Sequence, residues 1–197
     1  MNESKSLKKT KVLVGMAIFT ALVVVLQELA GAIKIGPFSP SLVLIPMVIG
    51  ASVYGIKAGA WLGLVFGVVV LAGCVTGTDV GGNAMWNFTP AMTALICIGK
   101  GVAAGTLSGL TFGALRQKNQ ILAAVAAAVV CPVVNTGLFC IGAVAVFRPL
   151  LDQWSGGADL VSYVFLVLIG LNFLVEMGIN VVLSPVMVRI LRARGVQ

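Results

Sequence analysis

Glu176 stands in the middle of the last long apolar run of this 197-residue chain, with Asn172 four residues before it and Asn180 four residues after. A spacing of four places the three side chains in one stripe along a helix. Asn135 in "CPVVNTG" and Lys100 in "CIGKG" interrupt two other apolar runs. Two chemistries suit such a set. In one, Lys100 and Glu176 pair with each other and tie two helices together, with the asparagines bridging neighbours. In the other, these groups line the floor of a cavity and hydrogen-bond a polar solute, Lys100 meeting a carboxylate and Glu176 a donor group. Trp86, Asn87 and Asn83 in "TGTDVGGNAMWNFTP" offer a rim for the same mouth. Gln27 and Glu28 would join that rim or face headgroup water; Trp86 and Trp154 equally suit an interfacial belt, the preferred reading for Trp154.

The elements that position these groups are membrane helices. Hydrophobic residues make up 59% of the chain and charged residues 10%, with a mean hydropathy of +1.10. That is beyond what a soluble domain can bury. An ionisable group inside a bilayer costs on the order of 3 kcal/mol on insertion scales, so Lys100 and Glu176 are expected to face the protein interior. Six apolar runs, at roughly 12–33, 41–54, 58–74, 90–115, 120–147 and 160–191, predict an all-α membrane protein of six transmembrane helices, organised as one domain over 1–197.

Charge sets the expected orientation. Of the thirteen basic residues, ten (Lys5, Lys8, Lys9, Lys11, Lys57, Arg116, Lys118, Arg189, Arg192 and Arg194) fall on one side if the chain crosses six times with both ends in the cytoplasm. Lys34 and Arg148 are then outside and Lys100 within a span, as the positive-inside rule requires. The net charge of +7 therefore reads as topology, and no folded basic face for nucleic acid is expected. The outer connections "GPFSP", "TGTDVGGNAMWNFTP" and "RPLLDQWSGGAD" are longer than the inner turn "YGIK", which directs function outward. The run from Ser41 to Tyr54 would rise about 21 Å as a helix, short of a hydrocarbon core of about 30 Å. Its outer end near "FSPS" is expected to stop below the surface, where exposed backbone is tolerated only against a wet, protein-walled cavity.

Glycines recur every four residues, at Gly59, Gly63 and Gly67 and again at Gly101, Gly105, Gly109 and Gly113, a spacing that lets helix backbones approach closely. Ala17 and Ala21 form a similar ridge in the first run, suited to docking a partner helix. With no His, and with Cys74, Cys97, Cys131 and Cys140 forming no CxxC pair, neither a metal site nor a redox dithiol is expected, and the cysteines read as small core residues. "ALICIGKGV" lacks the glycine and the Ser/Thr of a phosphate-binding loop. The chain is not expected to hydrolyse ATP or to be an enzyme, and no cofactor is implied.

Taken together, the size, the Lys-rich start, the Ala17/Ala21 ridge, the run "SLVLIPMVIGASVYGIKAGAWLGLVFG", and "VNTGLF" with "NFLVEMGINVVLSP" resemble the substrate-binding S component of energy-coupling factor (ECF) vitamin transporters. The resemblance implies a prokaryotic plasma-membrane protein that binds a water-soluble vitamin in an outward-facing pocket. It implies association with a transmembrane coupling subunit and two cytoplasmic ATPases, and release of cargo after toppling within the bilayer. It assigns Ala17 and Ala21 to the coupling subunit. It assigns Lys34 to Ser39, Asn83 to Asn87, Lys100, Asn135, Asn172 and Glu176 to the pocket. Pantothenate is the leading expectation for the cargo, with riboflavin, folate, biotin and a pyrimidine- or pyridoxine-type compound as alternatives. The competing reading is a small self-sufficient channel or proton-coupled secondary transporter in which Glu176 carries the proton.

Overall fold

The computed structural model describes residues 2–31, 41–157, 159–163 and 170–193, and every element among them is helical. In chain order these are α1 (Asn2–Gly31), α2 (Leu44–Tyr54), α3 (Ile56–Thr76), α4 (Val80–Phe88), α5 (Pro90–Leu115), α6 (Gln120–Val146), α7 (Arg148–Ser155), α8 (Leu160–Tyr163) and α9 (Leu171–Ala193). Five of them (α1, α3, α5, α6 and α9) are long and apolar enough to cross a bilayer. Helix α2 has 11 residues and spans about 16 Å at the standard rise. The shortness expected of this segment is therefore real, and it is greater than the sequence indicated.

Local chemistry sets the helix ends. Gly55, at φ 90°, is a one-residue link that turns α2 into α3 through a backbone region that favours glycine. Asn119 Oδ1 caps α6 by accepting from the amides of Ile121 and Leu122 at 2.9 and 3.1 Å. Two of the longer outer connections contain helices. Asp79 caps α4, its Oδ1 accepting from Gly82 N at 3.0 Å, and Pro149 sits in the first turn of α7. Both helices are about two turns long, too short for a hydrophobic period to announce them.

Helix α3 packs chiefly on α5, α5 on α6, and α6 on α9. The glycine ridges explain the first contact. A Cβ placed at Gly59 would strike the carbonyl of Gly105, one at Gly63 that of Gly101, and one at Gly67 that of Cys97. The two helices thus run antiparallel with their backbones in contact, so small-residue spacing in both sequences is a packing requirement. Around this seam the core holds Phe66, Phe112, Leu62 and Met47, with the alanine face of α6 at Ala123, Ala124, Ala127 and Ala128. The outward surface is apolar as well: Leu13, Leu95, Ile141, Leu174 and Val182 are all more than 60% exposed. Such a surface suits lipid rather than water.

Candidate functional site

Glu176 lies on α9 and is 5% exposed. Its Oε1 accepts a 2.7 Å hydrogen bond from the backbone amide of Ser41. Ser41 stands three residues before the first residue of α2, and its amide is a backbone donor that no helix hydrogen bond uses. A carboxylate there also meets the positive end of the helix dipole. Asn135 on α6 and the Ser41 hydroxyl lie against the same carboxyl. One turn along α9, Asn180 donates through Nδ2 to the Glu176 carbonyl at 2.8 Å.

Three acceptors in this cluster have no donor. Glu176 Oε2, Asn135 Oδ1 and Asn180 Oδ1 are buried and unpartnered, in residues 5%, 3% and 1% exposed. An unpaired buried polar atom costs on the order of 1–3 kcal/mol, so the site favours a molecule that brings N–H or O–H groups.

Lys100 does not neutralise Glu176 by contact. Its ammonium instead stands 5.1 Å from the centre of the Phe139 ring and 5.8 Å from that of Phe66, a cation–π arrangement between α3, α5 and α6. The two charges are near enough to act on each other through space. Of the two arrangements the sequence allows, the direct Lys100–Glu176 pair is not formed: a backbone donor meets Glu176 and aromatic faces meet Lys100. Among the described residues no carboxylate pairs with Lys100.

The remaining expected residues divide. Asn83 Nδ2 donates to the Cys74 carbonyl at 2.8 Å and its Oδ1 accepts from Asn87 Nδ2 at 3.1 Å, so Asn83 anchors α4 to the end of α3. Trp86 is half-buried on α4 and Asn87 exposed. Helix α4 packs on α3 and α5, and none of its three candidate residues touches the Glu176 cluster. The side chain of Asn172 and residues 34–39 lie outside the described residues. Ala17 and Ala21 are exposed on α1, in line with the exposed Val14, Ile18 and Val25. Ser41 was not anticipated by name, yet the short second run had pointed to unpaired backbone near "FSPS".

A bundle of lipid-facing helices around a buried carboxylate–amide cluster defines a multi-pass membrane protein. The chain belongs to the family described as ECF transporter, substrate-specific component, whose model matches residues 11–188. It is thus a multi-pass cell-membrane subunit that confers specificity on transport and works with the ECF module; such components are not enzymes. No curated protein and no solved structure gives a match.

Proposed function

We propose that this subunit binds a water-soluble vitamin in a pocket floored by Glu176, Asn135 and Asn180, with Lys100 receiving a carboxylate or another acceptor of the same molecule. The observation that carries the reading is the mismatch around Glu176: three buried acceptors lack donors, while an ammonium nearby rests on two aromatic faces and has no counter-ion contact among the described residues. A cargo with hydroxyl or amide donors at one end and a carboxylate at the other satisfies both sets. Pantothenate has this pattern and remains the leading candidate. Asn172, Trp86, Asn87 and Asn83 belong in this reading to the outer wall and rim.

In the same proposal α2 supplies the sixth crossing by starting below the outer surface, and both termini are cytoplasmic. The chain acts as one membrane domain. Ala17 and Ala21 meet the transmembrane coupling subunit, which connects to two cytoplasmic ATPases. The exposure of both alanines on an otherwise apolar α1 face supports this docking.

The test is native mass spectrometry of the chain purified in mild detergent, followed by calorimetric titration with pantothenate, riboflavin, folate, biotin, thiamin and pyridoxine. One molecule of a single vitamin per chain, bound without ATP, is the expected result. Absence of binding across the panel, with the protein folded, would refute the pocket.

A further inference from the structure

At the end of the bundle that carries Lys57, Arg116 and Lys118, the last turn of α2, the start of α3 and the last turn of α5 enclose a cavity of about 340 Å³. It is separate from the Glu176 cluster. Ser52, Gly55, Ile56, Gly113 and Arg116 are among its lining residues.

Three features of this cavity present positive charge or a spare donor. Ser52 is 5% exposed and its hydroxyl has no partner, so a buried O–H is left to be used. Helix α3, 21 residues long, begins here at Gly55 with no side-chain cap, so first-turn amides such as that of Ile56 have no side-chain partner beside the cavity. Arg116, at the C-terminal end of α5, stands on the surface at the mouth and is paired with no carboxylate among the described residues. The sequence explains why: of the six acidic residues, only Glu3 belongs to a stretch at this end of the bundle. A Cβ at Gly113 would meet nothing within 4 Å, so a larger side chain there has room to enter the cavity.

We propose that this cavity binds a phosphate-type oxyanion, carried by the headgroup of an anionic phospholipid or free in solution. The guanidinium fork matches two phosphate oxygens, and the Ser52 hydroxyl and the start of α3 supply further donors to the same group. The apolar helix surfaces beside the mouth place it where a phospholipid phosphate lies when its chains cover those surfaces.

Native mass spectrometry of the full chain in mild detergent, with phosphatidylglycerol, phosphatidylcholine or inorganic phosphate added, tests this. Phosphatidylglycerol is expected to be retained about tenfold over phosphatidylcholine. Arg116→Gln and the cavity-filling Gly113→Leu are each expected to abolish the preference, with thermal stability and vitamin binding unchanged. Ser52→Ala is expected to weaken it about threefold. Displacement of the lipid by millimolar phosphate, or a phosphate adduct lost in the same variants, would show that the site takes the free anion as well. Equal retention of both lipids with no phosphate adduct, or an unchanged preference in both Arg116→Gln and Gly113→Leu, would overturn the proposal.

Discussion

The backbone amide of Ser41 donates a 2.7 Å hydrogen bond to Oε1 of Glu176, joining residues 135 positions apart in the chain. This contact satisfies a backbone donor ahead of α2 and holds one carboxylate oxygen, leaving Oε2 without a partner. One oxygen thus has a structural role, and the other is available to a ligand.

Glu176→Gln separates these roles. Glutamine keeps an acceptor for Ser41, so the melting temperature is expected to shift by only a few degrees. It also puts an amide donor where Oε2 stood. Loss of a hydrogen bond to a charged group, worth about 1.5–3 kcal/mol, predicts a 10- to 100-fold rise in the Kd for the cargo. Glu176→Ala should in addition lower stability by about 1–3 kcal/mol, because the Ser41 amide is then unpaired. Titration calorimetry and thermal melts of both variants check this; unchanged affinity in Glu176→Gln would remove Glu176 from the pocket.

Lys100→Met tests the division of charge. Among the described residues no ion pair of Lys100 is broken, so stability should hold or rise. Binding of a vitamin carboxylate should weaken at least tenfold, about 1.4 kcal/mol, while the corresponding primary alcohol of the same vitamin should bind both proteins alike. If the variant unfolds, Lys100 is a structural cation held by Phe66 and Phe139.

The α3–α5 seam predicts sharply different outcomes for two Gly→Ala changes. Gly63→Ala drives a methyl into the Gly101 carbonyl and should force the helices apart, with loss of folded protein in detergent extracts. Gly99→Ala meets nothing within 4 Å and should stabilise α5 by about 0.5–1 kcal/mol, the usual difference between the two residues inside a helix. Size-exclusion profiles and melting temperatures decide the matter; equal effects would contradict the antiparallel contact.

Ala17→Leu combined with Ala21→Leu adds bulk to an exposed face and removes no contact within the chain. The double variant is expected to bind cargo with wild-type affinity and to lose uptake in cells that contain the ATPase module. Retained uptake would point to the self-sufficient carrier instead.

Asn83→Ala removes the bond to the Cys74 carbonyl and the acceptor for Asn87. The expected cost is about 1 kcal/mol of stability with cargo affinity preserved, as measured by thermal melts and titration. A large loss of affinity at constant stability would make Asn83 a direct cargo contact rather than the anchor of the rim helix.

What the sequence alone determined were properties local to a helix. Hydropathy marked the apolar runs, and the four-residue spacing put Glu176 and Asn180 in a stripe facing inward. Glycine spacing announced a close backbone contact, and 14 residues from Ser41 to Tyr54 announced a helix too short for the bilayer. Each follows from the 3.6-residue period and the rise per residue, which depend on neighbours in the chain. The tertiary structure decided which groups meet. Charge alone recommended Lys100 as the partner of Glu176, yet the backbone amide of Ser41, ahead of α2, takes that place and Lys100 turns to two aromatic faces. The reason is geometric: a partner across 135 positions is set by how α2, α6 and α9 approach one another. The glycine ridges likewise told of contact but not of α3 against α5, since small residues specify distance and leave the identity of the neighbour to the packing of the whole bundle.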